Sequence, residues 1–206
     1  HRAKQLALYP RTSGRHQTVV KYGQWENAVS SYLASVSFVD ELIGDLIKAL
    51  EQHRLIDNTW IVLWSDHGWH LGEKSHWGKA TGWYRSTRVP FLIVPPMGQK
   101  QFKKSEQVKN MVNLLDLAPT MADIAGIPKS PKWEGRSLMP ILKQEAENWE
   151  EATLTTFSIG SHTISTPHWQ LISYFDGSDE LYDMVNDPNQ FFNLAQQPQK
   201  TQIKKK

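Results

Sequence analysis

Trp60-Ile61-Val62-Leu63-Trp64-Ser65-Asp66-His67-Gly68-Trp69-His70-Leu71-Gly72-Glu73 is the stretch on which the fold turns. Its first five residues are a continuous apolar run, the pattern of a strand buried on both faces. A carboxylate beside an imidazole follows almost at once. Upstream, apolar side chains fall at Trp25, Val29, Tyr32, Val36, Val39, Ile43, Leu46, Ile47 and Leu50, in steps of three and four. That spacing predicts one long amphipathic helix with a core-facing stripe, ending near His53. A long helix feeding a buried strand predicts a parallel strand of an α/β sheet. Open α/β sheets place their ligands beyond the C-terminal ends of the strands, where Asp66 and His67 stand.

Working outward, residues 1–22 are polar and read as a loop or arm. Residues 66–87 read as a long loop rich in Gly, Trp and His, and such loops are commonly functional. Val89–Val94 is a second buried strand closed by Pro95-Pro96, and Val108–Val112 is a candidate short strand. Leu114–Ala125 is a helix with Asp116 in its first turn, stopped by Gly126-Ile127-Pro128. Leu138–Leu142 adds a helical turn. The charged stretch 143–147 reads as a linker. Beyond it, Thr153–Phe157, His168–Phe175 and Glu180–Met184 are short, aromatic and β-branched, as in a small antiparallel sheet. The expected organisation is therefore one α/β part over 1–147 and a small α+β subdomain over 148–206.

The 206 residues are 39% hydrophobic and 21% charged, enough to bury a core. A net charge of +2 is too small to argue for nucleic acid or an acidic membrane. Lys204-Lys205-Lys206 reads as a solvated tail. Cysteine is absent, so no thiol nucleophile or disulfide lies within the sequence. No signal peptide or membrane-spanning run is visible.

Asp66 offers hard oxygen ligands and His67 a ring nitrogen, a mixture that suits calcium or magnesium on one side and zinc and its neighbours on the other. Two ligands do not complete a coordination sphere. Lys79 is a flexible point charge able to neutralise an oxygen of a tetrahedral anion. Together they describe metal-assisted hydrolysis of a sulfate or phosphate ester. The alternative is an Asp turn residue beside a satisfied loop histidine. Trp69, Trp77 and Trp83 line a sugar or aryl pocket or form the core of the loop. His70 and His76 read as exposed loop histidines; His76 joins Trp69 and Lys79 as a candidate substrate contact. Glu73 is expected to anchor the loop by hydrogen bonds, and Asp40 to face polar loop groups.

The ordered set Ser65–Glu73, His76-Trp77-Gly78-Lys79 and Ser86–Phe91 resembles the type I sulfatases, in particular their iduronate-2-sulfatase-like and choline-sulfatase-like branches. The resemblance extends through Tyr32–Val36, Val39–Gly44, Asp57–Thr59, Asp116–Thr120, Ala125–Pro128, Glu134–Leu138, Glu180–Asp183, Asp187-Pro188 and Asn193–Ala195. It implies part of an alkaline-phosphatase-like α/β sandwich with a small C-terminal antiparallel subdomain. It also implies sulfate-ester hydrolysis with Ca2+ and a formylglycine nucleophile. Asp66 and His67 match two calcium-ligand positions. Lys79 matches the catalytic lysine that holds the sulfate, and Trp69 a position that touches substrate.

The formylglycine motif, the paired N-terminal aspartates, and a histidine and lysine of the family's first half have no counterpart here. The chain thus resembles the C-terminal portion of a sulfatase, with the nucleophile expected outside it. The implied partners are a small-molecule or glycan sulfate ester and the remainder of the sulfatase polypeptide. Relatives are usually periplasmic, secreted or lysosomal. The competing readings are a metal-dependent phosphoesterase of the same superfamily and a catalytically inactive fragment. The 206 residues alone are expected to turn over no sulfate ester, and a half sheet with an open edge to fold poorly by itself.

Overall fold

A computed structural model of the chain describes residues 13–99, 101–102, 107–146, 149 and 152–203. It divides into two compact units, His1–Thr81 with Arg85–Gln99 and Gly82–Tyr84 with Lys100–Lys206. The charged stretch 143–147 is therefore not where the units part. Hydrogen bonds span the second unit across that stretch: Trp149 Nε1 donates to Met111 O at 2.7 Å, and Asn113 Nδ2 to Leu154 O at 2.8 Å.

In the first unit, α1 (Ser13–Lys21) forms where an arm was expected. Residues 1–12 of that expected arm lie outside the described residues. Helix α2 (Trp25–Gln52) follows, capped at His53, with the predicted limits. Its stripe is only partly covered, however. The helix has no buried residue, and Tyr32, Val36, Val39 and Leu46 are exposed. The periodicity specified an apolar face correctly, and Val29, Ile43, Ile47 and Leu50 on it are half-buried.

Strands β1 (Ile61–Trp64) and β4 (Phe91–Val94) pair antiparallel, Ile61 opposite Val94 and Trp64 opposite Phe91. This corrects the parallel expectation. A continuous apolar run reports the burial a strand demands, not the direction of its neighbour. The burial is not met here either, since Leu63, Trp64, Leu92 and Val94 are exposed. The expected long loop holds structure of its own: β2 (His70–Leu71) and β3 (Trp77–Gly78) form a small antiparallel hairpin, and α3 (Tyr84–Thr87) a single turn.

In the second unit, Val108–Val112 forms no strand. Leu114–Asp116 is a 3-10 turn, and α4 begins one residue later (Leu117–Ala125). Asp116 explains the break. Its buried carboxylate accepts from Asn113 N at 2.9 Å and from Arg136 N at 2.9 Å, closing a capping box with Asn113. Gly126 ends the helix as expected, and α5 (Met139–Leu142) is the predicted turn.

The C-terminal sheet is an antiparallel meander, β5 (Thr153–Ser158), β6 (Ser161–Ser165), β7 (Trp169–Ser173) and β8 (Asp179–Asp183), in that order. Its core is apolar at Ile172 and Leu181, both fully buried. Beside them lies a buried carboxylate, Glu180, which accepts from Trp83 Nε1 at 2.8 Å, Tyr174 OH at 2.9 Å and Tyr182 OH at 2.6 Å. Burial and this carboxylate push both tyrosine pKa values up, so the phenols stay protonated donors. Among the described residues no helix is long and apolar enough to cross a membrane.

Candidate functional site

The segment after β1 is fixed by its own backbone. Ser65 N donates to Pro90 O, Ser65 Oγ to His67 O at 2.8 Å, and Gly68 N to Ser86 O at 2.9 Å. The last contact demands glycine, because a Cβ on Gly68 would lie 2.0 Å from Arg85 O. Glu73 accepts from Leu71 N at 2.6 Å and lies 3.6 Å from Arg85 Nε, the anchoring role expected of it.

These constraints bring Asp66, His67 and Lys79 together. His67 Nδ1 lies 2.9 Å from Gly68 O, so Nδ1 carries the proton and donates. His67 Nε2 lies 2.7 Å from Lys79 Nζ, which has only protons to offer, so Nε2 is the acceptor. A protonated ring would set two donors against each other there. His67 is therefore the neutral Nδ1–H tautomer. Asp66 Oδ2 stands 3.3 Å from the same Nε2, and this contact is between two electron-pair donors rather than an ion pair. An imidazole held by its far N–H on a carbonyl, with its lone pair beside a carboxylate, is donor chemistry suited to a divalent cation. Asp66 is largely exposed and open to a ligand, its side chain 76% accessible. Among the described residues no three His, Cys, Asp or Glu side chains gather as a metal site.

The histidines of the loop are not exposed. His70 and His76 are buried, with ring centroids 5.1 Å apart and planes nearly perpendicular. His70 Nε2 lies 2.9 Å from Thr81 Oγ1. Burial above all, then the neighbouring His76, Lys74 and Arg85, pushes its pKa down to about 3. His76 Nε2 donates to the backbone carbonyl of Lys79 at 3.1 Å. His76 has no exposed surface, and its Nε2–H on that carbonyl braces the backbone of Lys79. Trp77 and Trp83 are buried and belong to packing. Trp69 is partly exposed, its ring centroid 6.1 Å from that of His67. Asp40 is exposed on α2.

Two residues near this site fell in the expected arm. Arg15 places its guanidinium carbon 6.0 Å from the Trp69 ring centroid. His16 Nδ1 accepts from Trp77 Nε1 at 3.2 Å. The sequence signals them weakly, because α1 carries few apolar residues and no periodic stripe.

Comparison with known proteins gives the family. Residues 5–127 match the sulfatase family model, and residues 72–206 that described as N-sulphoglucosamine sulphohydrolase, C-terminal. A sulfatase from Formosa agariphila is 31% identical over 190 residues, covering 92% of this chain and 36% of the relative. A solved structure in complex with its substrate D-glucosamine-2-N,6-O-disulfate superposes with a TM-score of 0.70 at 30% identity, covering 84% of this chain and 37% of that one. The phosphonate monoester hydrolase of Silicibacter pomeroyi superposes with a TM-score of 0.70 at 26% identity, covering 80% and 36%. The chain thus spans about a third of the length of the relatives it matches. These likenesses bear out the α/β class and the alkaline-phosphatase-like fold. With a family model matched over more than half of its residues, the chain belongs to the sulfatase family.

Proposed function

We propose that the protein carrying this chain hydrolyses sulfate esters of carbohydrates, with Asp66 and His67 as calcium ligands and Lys79 as the catalytic cation. The observation that supports this most is the convergence of Lys79 Nζ and Asp66 Oδ2 on the unprotonated Nε2 of His67, at 2.7 and 3.3 Å. The substrate class follows from the sulfated glucosamine bound by the relative described above.

In this reading the Asp66 carboxylate and the His67 Nε2 lone pair would hold the cation, which would supply Lewis-acid stabilisation of charge on the sulfate oxygens. The nucleophile is a formylglycine outside these 206 residues. The Gly68 carbonyl holds His67 Nδ1–H and so keeps Nε2 aimed at the site. Lys79 donates from its ammonium to the sulfate and neutralises charge growing on the ester oxygen as the sulfur–oxygen bond breaks. His76 fixes the backbone from which Lys79 reaches. Trp69 offers an aromatic surface beside the site. The proposal carries with it an exported or lysosomal location.

The test is turnover by the full-length protein of matched substrates: 4-nitrophenyl sulfate and monosulfated glucosamine against 4-nitrophenyl phosphate and a phosphonate monoester. Sulfate esters should be preferred. Preference for the phosphorus esters would transfer the site to the phosphoesterase reading, and no turnover of either would leave an inactive family member.

A further inference from the structure

We propose that Arg15, backed by the Trp69 ring, forms a subsite beside Lys79 for a second anionic group on the sugar substrate. The inference rests on the reading of Asp66, His67 and Lys79 as the ester site. Arg15 is exposed and makes no ion pair with a carboxylate among the described residues. Its guanidinium lies along the Trp69 ring, 6.0 Å from the centroid.

The place for it is built into the hairpin. Gly78 precedes Lys79 directly and has φ +108, a conformation that L side chains rarely adopt. A Cβ there would stand 2.9 Å from Arg15 Nη1 and 3.8 Å from the far edge of the Trp69 ring. The bare glycine leaves the slot in which the guanidinium lies. The neighbouring residue pins α1 at this point, since His16 accepts from Trp77 of the same hairpin strand and stands edge-on to Trp25 at 5.7 Å.

Two cations therefore border Gly78, Lys79 in sequence and Arg15 in space, and among the described residues no carboxylate pairs with Arg15. A guanidinium oriented by an aromatic face presents a planar fork that matches two oxygens of a sulfate or a carboxylate. Lys79, a point charge beside the metal ligands, is suited to the scissile sulfate. Arg15 is suited to the other anion. The ligand class is a carbohydrate carrying a second sulfate or a uronate carboxylate, recognised through the same pair of anionic oxygens.

The experiment compares three sugars on the full-length protein: monosulfated glucosamine, disulfated glucosamine, and monosulfated glucosamine linked to a uronate. Affinity is read by calorimetry and, separately, KM and kcat by turnover. The wild type should prefer one of the two dianionic sugars, and which one names the second group. Arg15→Ala should shrink that preference about tenfold through Kd and KM, with kcat for the preferred sugar retained. Arg15→Lys should restore part of it, having the charge without the fork. Arg15→Gln, which keeps the stem against Trp69, carries the test should the alanine variant fail to fold. Equal affinity of the wild type for mono- and dianionic sugars overturns the proposal. So does a parallel loss on all three sugars, the mark of a merely structural arginine. Arg15-dependent binding without any sulfate turnover would sink the hydrolase reading and leave the subsite standing.

Discussion

Acid should loosen this protein through one buried ring, His70. The ring is 1% exposed, and its pKa of about 3 in the fold lies well below the 6.5 of a free imidazole. The unfolded chain therefore takes up a proton near pH 6.5 that the folded chain refuses until near pH 3. Stability from this residue is whole above the unfolded pKa and falls as pH drops toward the folded one. The slope approaches about 1.4 kcal/mol per pH unit, so going from pH 7 to pH 5 costs about 2 kcal/mol from His70 alone. His70→Gln keeps a polar end near Thr81 Oγ1 and cannot charge. Urea unfolding of the full-length protein at several pH values, wild type beside His70→Gln, measures the effect. The variant should start less stable at neutral pH and lose about 2 kcal/mol less than the wild type on acidification. Parallel pH curves for the two proteins would refute the reasoning, because the ring would then be hydrated enough to titrate normally in the fold.

Substitutions at two further residues extend the test. Glu180→Ala removes the carboxylate that accepts from Trp83 Nε1 and from the hydroxyls of Tyr174 and Tyr182, and should cost about 3–6 kcal/mol in urea unfolding. Glu180→Gln should cost only about 1–2 kcal/mol, because its carbonyl still accepts and the Tyr174 hydroxyl can turn to accept from the amide; equal losses for the two variants would show that the network is hydrated. His76→Ala removes the donor on the Lys79 carbonyl and should lower kcat for a sulfate ester about tenfold with KM little changed, while His76→Gln recovers part of it. A change confined to KM would instead return His76 to the role of substrate contact.

Those residues also mark where the sequence could and could not be read. Helix α2, strands β1 and β4, the end of α4 and three of the four C-terminal strands were legible, because apolar spacing and glycine or proline punctuation mark them directly. Strand β6 was not. Its inward positions are Ser161 and Thr163, buried polar residues satisfied by Phe175 N and by the Gly82 carbonyl. A strand whose core face is polar inverts the pattern by which strands are found. The direction of β1 against β4 was illegible for another reason, since burial demand carries no information about the partner's polarity. His70 and His76 read as surface residues because a histidine's burial depends on hydrogen bonds contributed by Thr81 and by the Lys79 backbone. The motif made Asp66, His67 and Lys79 candidates, and their side chains lie together in the fold. Arg15 was not, because only the folded hairpin brings it to Trp69 and Gly78.

Calcium binding is the most direct measurement of the central claim. Titration of the full-length protein by calorimetry should show a site that Asp66→Ala weakens by about 10–100-fold together with sulfate-ester turnover. Lys79→Ala should retain that site and lose turnover. Unchanged calcium affinity in Asp66→Ala, or loss of the metal in Lys79→Ala with turnover intact, would contradict the assignment of ligand and catalytic cation.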